Sequence, residues 1–423
     1  MPALLTALGE ISDTLLTRLG RHRAVDKDGP QRLTIVQFGE YAEAVARFSA
    51  GGKETYYGQR YTVEFVASLA ARAQTECLTI VNLSVDAPLR MLPNKVHVQS
   101  VELYPQKGAP RYRQLTSVVA ATHPTHLIVM SPIAPLIRWG IRARIPVLPM
   151  FADSFREKAI GARLRSLLLA YLLNDPSVEL VANHNLAASR DLQRIGVDPR
   201  KIVPFDWPAL VSAASYEPKS APPADRPFRL IYAGSLVESK GVGDVIRAVS
   251  LLRERGREVE LTIIGAGIDS ERLKAQTCAD RVEQYVSFLG LKSHSDVLAA
   301  MRAHDAVVVP SHWAYPEGLP MTIYEALCTR TPLLTSDHPM FALKVRDRDN
   351  ALVFRERDPD ALARCVEELA GSAQFYVKLS STAGKAAETY LCPLKYDQLL
   401  SDFMAPQRRG RLRDYCLADY TYT

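Results

Sequence analysis

The sequence has no paired-cysteine motif. Its six cysteines, Cys77, Cys278, Cys328, Cys365, Cys392 and Cys416, are scattered and never form a C-x-x-C. That spacing argues against a zinc site or a disulfide framework and fits a reducing compartment. No apolar run reaches the roughly 18 residues that a bilayer span needs. The longest, residues 164–173, is short and is headed by Arg163 and Arg165. Residues 1–23 carry Glu10 and Asp13 within their apolar pattern and lack a small-residue cleavage site. They read as a mature amphipathic start, not a signal peptide. A G-x-G-x-x-G fingerprint and a Walker P-loop are both missing. No His, Asp or Cys cluster has metal-ligand spacing, so no metal is expected. No basic stripe interleaves with aromatics, so nucleic acid is not an expected partner.

What is present is ordinary globular composition, with 47% hydrophobic and 23% charged residues. At 423 residues the chain is too long for one ordinary core, and two domains are the default. The net charge of +6 is uneven: residues 1–205 hold 25 Lys and Arg against 17 Asp and Glu. A basic first half suits an anionic acceptor or a membrane surface. A solvated basic face is the plainer account.

Both halves alternate short apolar runs with longer amphipathic stretches, the pattern of parallel strands joined by helices. Strands are expected at 33–38, 78–83, 96–98, 127–130, 147–151 and 180–182, then at 229–233, 260–264, 285–288, 306–309, 333–335 and 352–354. Helices are expected at 61–73, 112–121 and 157–173, then at 242–254, 269–279, 295–303, 321–328 and 359–369. Between the halves lies a proline-rich stretch with Pro204, Pro208, Pro218, Pro222, Pro223 and Pro227, which is expected to resist both helix and strand. The expected division is therefore a first domain at 1–205, a linker at 206–227, a second domain at 228–389 and a closing segment at 390–423. That segment is free to cross back to the first domain and ends in a basic tail prone to disorder. The expected fold class is α/β, with two Rossmann-like, doubly wound parallel-sheet domains facing across a cleft. Ligands of such sheets bind at the carboxyl ends of the strands.

The strongest local signal is Glu317-Gly318-Leu319-Pro320-Met321-Thr322-Ile323-Tyr324-Glu325-Ala326. Pro320 can open a helix whose free N–H groups and dipole favour an anion or sugar oxygens ahead of it. Glu317 would lie in the preceding loop and Glu325 on the helix, where two carboxylates could hold hydroxyls of one extended ligand. A loop acid followed by an ordinary helix glutamate is the competing account. The segment resembles the E-x7-E signature of the family 4 retaining glycosyltransferases. Ile231-Tyr232-Ala233-Gly234-Ser235-Leu236 with Ser239-Lys240-Gly241, Ile263-Ile264-Gly265-Ala266-Gly267, Phe288-Leu289-Gly290 and Ala306-Val307-Val308-Val309-Pro310-Ser311 resemble its other strand ends.

The resemblance covers residues 228–370 and implies the GT-B architecture. It implies that Glu325 binds the donor ribose, that Glu317 contacts the transferred sugar and that Lys240 neutralises the diphosphate. Gly234, Ser235, Gly265, Gly267, Gly290, Leu291, Gly318, Leu319, Pro320 and Met321 would line the donor. No cofactor or metal is implied beyond a nucleotide-sugar co-substrate of unknown base. The family usually has Arg where Ser235 stands, so one diphosphate contact is missing from the pattern.

The first half matches weakly. Gly51-Gly52 loosely resembles the family's Gly-Gly loop, where backbone amides can approach an acceptor or a phosphate. Asp153, after the strand 147–151, is the best match to a family acid or histidine near the anomeric carbon; a helix cap accounts for it equally well. His184 and His312 are minor candidates, and His123 and His126 read as surface-loop residues. The basic, leucine-rich segment 155–173, with its helix at 157–173, reads as a buried core helix because its apolar residues run nearly all round, with an interfacial helix as the alternative.

The expected activity is retaining transfer of a sugar from a nucleoside diphosphate to an acceptor hydroxyl on a glycan or lipid-linked acceptor. The expected location is the cytoplasm, with the inner membrane face and peripheral membrane association left open. A phosphorylase, an epimerase or an inactive nucleotide-sugar-binding partner subunit are the alternatives.

Overall fold

The computed structural model describes residues 29–54, 57–152, 154–155, 160–222 and 224–420. The first domain is built on an eight-stranded sheet in the order β3-β4-β2-β1-β5-β6-β7-β8. Its strands are β1 (Gln31–Gln37), β2 (Thr75–Asn82), β3 (Ala87–Met91), β4 (His97–Ser100), β5 (His126–Val129), β6 (Val147–Phe151), β7 (Val181–His184) and β8 (Ile202–Phe205). All pair in parallel except the β3 edge, which runs antiparallel to β4. Its helices are α1 (Tyr41–Ser49), α2 (Gln59–Ala70), α3 (Tyr112–Ala121), α4 (Ala134–Arg142), α5 (Ile160–Leu173) and α6 (Leu186–Arg194).

The second domain has a wholly parallel six-stranded sheet in the order β11-β10-β9-β12-β13-β14. It comprises β9 (Phe228–Ala233), α7 (Val242–Glu254), β10 (Val259–Ile264), α8 (Ser270–Ala279), β11 (Val286–Phe288), α9 (His294–Ala303), β12 (Ala306–Val309), α10 (Met321–Cys328), β13 (Leu333–Ser336), β14 (Leu352–Phe354), α11 (Pro359–Gly371) and α12 (Ala373–Glu388). Each expected strand and helix has a counterpart here. The two strands absent from the sequence reading carry weak period signals. Every residue of β3 is exposed, so it has no apolar alternation to read. β8 contains Pro204, which an edge strand tolerates.

Side chains alternate across the first sheet. Leu33, Ile35, Leu78 and Ile80 enter one core cluster, while Val36 and Val81 enter the other. The first of these clusters is completed by α13 (Tyr396–Met404), whose Leu399, Leu400 and Phe403 are buried against it. The basic tail is packed rather than loose through residue 419. After α14 (Pro406–Arg409), two 3-10 turns bury Leu412, Cys416 and Leu417. Arg409 holds the Phe403 carbonyl at 3.0 Å.

The reading of α5 as a core helix needs correction. Ala162, Leu169, Ala170, Leu172 and Leu173 are buried, but Ile160, Leu164, Leu167, Leu168 and Tyr171 are 52–85% exposed. The all-round apolar pattern arises because one face packs on the sheet and the other is apolar and faces outward. None of the described helices is long and apolar enough to cross a membrane.

Candidate functional site

A cavity of about 380 Å³ opens at the carboxyl ends of β9 and β10. Gly234 and Ser235 enter its wall directly after β9, and Gly265 and Ala266 after β10. Leu291, Lys292 and His294 come from the loop and helix after β11, and Met321, Thr322 and Glu325 from α10. Tyr57 and Trp207 close it from the first-domain side and the linker.

Glycine is required where these loops touch. A Cβ on Gly265, whose φ is +142°, would stand 1.8 Å from the Gly234 carbonyl oxygen. One on Gly267 would stand 2.2 Å from that of Leu236. The Gly265 N–H donates to the Gly290 carbonyl at 3.0 Å, which ties three strand ends into one wall.

Glu325, on α10, is 6% exposed and accepts a hydrogen bond from His294 Nε2 at 2.9 Å. Burial pushes its carboxyl above the usual range, and the histidine pulls it partly back. For His294 the balance goes the other way. Burial disfavours the imidazolium, but the bond to Glu325 and the charges of Glu325 and Glu54 outweigh it, so the pKa is raised. Glu54 of the first domain stands 3.9 Å from His294 Nδ1, and the Tyr57 ring meets the imidazole edge-on at 5.2 Å. The Tyr57 hydroxyl donates to the Pro208 carbonyl at 2.6 Å and accepts from the Leu210 N–H at 2.7 Å, which fixes it to the linker.

Glu317 is 5% exposed and pairs with the Lys240 ammonium, while Ser311 Oγ donates to the same carboxylate oxygen at 2.6 Å. The ammonium also lies 4.2 Å over the Tyr315 ring. Lys240 is placed by a 3-10 turn that ends at Gly241 with φ +74°, where a Cβ would collide with the Pro310 carbonyl oxygen. The two glutamates therefore occupy different settings: Glu325 opens onto the cavity, and Glu317 is held in the Lys240–Ser311 cluster. Of the remaining loop residues, Leu319 packs into the core, and Pro320 precedes α10 with its carbonyl accepting from the Tyr390 hydroxyl at 3.0 Å.

Gly318 faces the first domain. A Cβ there would lie 3.1 Å from Asn185 Nδ2 and 3.3 Å from the Ala152 carbonyl oxygen. Asn185 caps α6 through Oδ1 at 3.0 Å from the Ala188 N–H, and does so at a φ of +66° that side chains rarely adopt. Asp153 lies outside the described residues; its neighbour Ala152 borders this region. His184 is 3.0 Å from Asp206, and His312 is 2.7 Å from Asp244, so each minor histidine candidate has a carboxylate partner.

Gly51 and Gly52 do not form an open phosphate loop. Their N–H groups donate to the Phe48 and Arg47 carbonyls and cap α1. The turn instead carries Lys53 to Asp296, at 3.6 Å, and Glu54 to His294. His123, at φ +47°, lies in the turn before β5. His126 is buried, and burial with the nearby Arg409 charge lowers its pKa to about 4.

Sequence reasoning missed His294, Tyr57, Trp207 and Glu54. Only the position of His294, at the start of the helix that follows β11, could have flagged it. Among the described residues, no group of three or more His, Cys, Asp or Glu side chains could hold a metal ion.

A second cavity, of about 440 Å³, is enclosed by residues of α5, Trp313 and Pro339. Arg163, Arg194 and Trp313 line it.

Two parallel-sheet α/β domains with a cavity between their strand ends define the GT-B architecture. Solved structures share it. Alr3699/HepE from Anabaena, crystallised with UDP and glucose, aligns with a TM-score of 0.62 at 15% identity over 90% of this chain and 99% of its own. Sucrose-phosphate synthase from Thermosynechococcus elongatus aligns with a TM-score of 0.64 at 14% identity, over the same shares of the two chains. The sequence itself is similar to a known family: residues 216–386, most of them in the second domain, match the model of the glycosyl transferases group 1. Glycogen synthase from Mycobacterium tuberculosis is 33% identical over 159 residues, so the chain spans only 38% of that relative's length. Alpha-D-kanosaminyltransferase from Streptomyces kanamyceticus is 26% identical over 69% of each chain.

Proposed function

We propose that the chain is a retaining glycosyltransferase that moves a sugar from a nucleoside-diphosphate sugar to an acceptor hydroxyl. The acceptor is a glycan or lipid-linked molecule of cell-surface polysaccharide assembly, met at the inner membrane face. One observation carries the reading. A buried carboxylate, Glu325, opens onto a glycine-walled cavity at the strand ends, and α10, on which it sits, is preceded by the Glu317–Lys240 pair.

In this reading Glu325 accepts the ribose hydroxyls, and the diphosphate lies against the Gly234–Ser235 turn. Glu317 receives hydroxyls of the transferred sugar. As the glycosidic bond breaks, negative charge grows on the diphosphate, where Lys240 and the N-terminus of α10 oppose it. The acceptor hydroxyl attacks from the first-domain side on the same face the leaving group departs. Closure of the two domains keeps water out. The carboxylates position ligands and are not the acid and nucleophile of a hydrolase. No metal takes part.

The relatives support this reading through what they do. HepE binds UDP and glucose, and a 24% identical relative from Erwinia amylovora is an amylovoran biosynthesis glycosyltransferase. Ser235 favours one competitor, a subunit that binds nucleotide without turnover.

A thermal-shift panel of UDP, GDP, ADP, CMP and their sugar conjugates tests the proposal. At a hundred times its Kd, a ligand stabilises by about 2.7 kcal/mol. One nucleotide should raise the melting temperature of the wild type by a few degrees and leave Glu325→Ala unmoved. The matching sugar nucleotide should then be turned over at a rate that Glu317→Ala lowers. Binding without turnover, with no effect of Glu317→Ala on any rate, favours the inactive subunit. No shift from any nucleotide rejects the donor site.

A further inference from the structure

The outward face of α5 has no role in the chemistry above, and its pattern is specific. Ile160, Leu164, Leu167, Leu168 and Tyr171 are 85%, 57%, 58%, 52% and 84% exposed. At about 100° per residue they fall within an arc of about 100° on the helix surface. Arg163 and Arg165 lie just outside that arc, one on each side, and α5 carries no acidic residue. A soluble surface scatters single apolar residues and rarely aligns five on one helix.

The surroundings extend the pattern. α4 packs beside α5 and exposes Arg138 and Arg142, with Arg144 just beyond its end. From residue 103 to residue 152 the chain holds six Lys and Arg and no Asp or Glu. An apolar ridge flanked by arginines, in a layer without acids, is complementary to an anionic bilayer: leucines enter the acyl boundary and guanidinium groups meet the headgroups. A second copy of the chain would bring these arginines against one another, which charge repulsion opposes.

We propose that α5 and the adjoining basic surface of α4 dock the protein on an anionic lipid bilayer, with the helix lying in the interfacial plane. The second cavity, lined by Arg163 and Leu167 of α5, then opens at the edge of that plane. The surface stands on its own geometry and does not depend on the donor-site reading.

Co-sedimentation of the intact protein with vesicles of phosphatidylcholine, alone or mixed equally with phosphatidylglycerol, tests the docking. The wild type should partition onto the anionic vesicles at least about tenfold more strongly, and added salt should reduce the difference. The combined variant Leu164→Ser, Leu168→Ser and Tyr171→Ser should lose at least about tenfold in binding, with circular dichroism, melting temperature and nucleotide-induced shift unchanged. Arg138→Glu with Arg142→Glu should remove the salt-sensitive part alone. Failure of the wild type to bind anionic vesicles overturns the proposal, as does wild-type binding by the serine variant. A concentration-dependent dimer in light scattering that only the serine variant abolishes, without vesicle binding, assigns the face to a second copy instead. Because nucleotide binding is read in the same samples, failure of docking and failure of the donor site are separately visible.

Discussion

Ser235 places a hydroxyl in the cavity wall where the family resemblance implies a guanidinium, and the basic side chains left in that wall are Lys292 and His294. Ser235 is exposed, so a longer side chain has room to extend into the cavity. A charge-assisted hydrogen bond is worth about 1.5–3 kcal/mol. Ser235→Arg should therefore tighten nucleoside-diphosphate binding by roughly tenfold or more and leave nucleoside binding unchanged, as read by calorimetry. Equal affinity of the two proteins for the diphosphate would place that group elsewhere. At this scale the sequence was legible where spacing carried the signal. Glu317, Lys240 and Glu325 stood out through a motif and its neighbouring glycines. Tyr57, Trp207 and His294 did not, because each gains its place from residues far away in the chain.

Between elements, the contact that ties α9 to α10 is the His294–Glu325 bond, backed by Glu54 from the turn after α1. His294 has a raised pKa in the folded protein, so its contribution to stability is complete below the ordinary value of 6.5 and is lost as pH rises through the folded value. Loss of the imidazolium also leaves the buried Glu325 carboxylate without its cation. The melting-temperature advantage of wild type over His294→Gln should accordingly be largest near pH 6 and shrink on the alkaline side. An advantage independent of pH would mean that the pair is held as a neutral hydrogen bond. Element boundaries in the second domain are readable because its strands are short, mainly apolar runs, with β12 and β13 buried along their whole length. In the first domain the leucine-rich α5 misleads, since periodicity cannot tell a helix buried on both sides from one with an apolar face turned outward. The Gly51–Gly52 pair misled for a related reason: two glycines mark a turn, and only the hydrogen bonds to Phe48 and Arg47 identify it as a helix cap.

On the scale of the whole molecule, the chain leaves the first domain after Phe205 and returns at Leu394, and the two crossings are joined at one residue. The Asp206 N–H donates to the Leu394 carbonyl at 3.0 Å, the Asp206 carbonyl accepts from the Tyr396 N–H at 3.0 Å, and the Asp206 carboxylate accepts from the Cys392 N–H. The first domain depends on what returns, since Leu399, Leu400 and Phe403 are 0–3% exposed in its core. Losing one large buried side chain costs about 2–5 kcal/mol, against a total stability of about 5–15 kcal/mol. A chain ending at residue 390 should lose the cooperative melting of its first domain in calorimetry. A wild-type transition in that truncated chain would show that α13 is dispensable.

The order of synthesis gives this crossing a further meaning. Domains usually fold in the order in which they leave the ribosome. Here the strands of the first sheet emerge first, and α1 and α2 cover part of one face, but that face is not fully buried until residues 394–416 arrive, after the whole second domain has been made. The second domain is continuous in sequence and needs no such wait, so the half of the protein translated first is the half that completes its folding last.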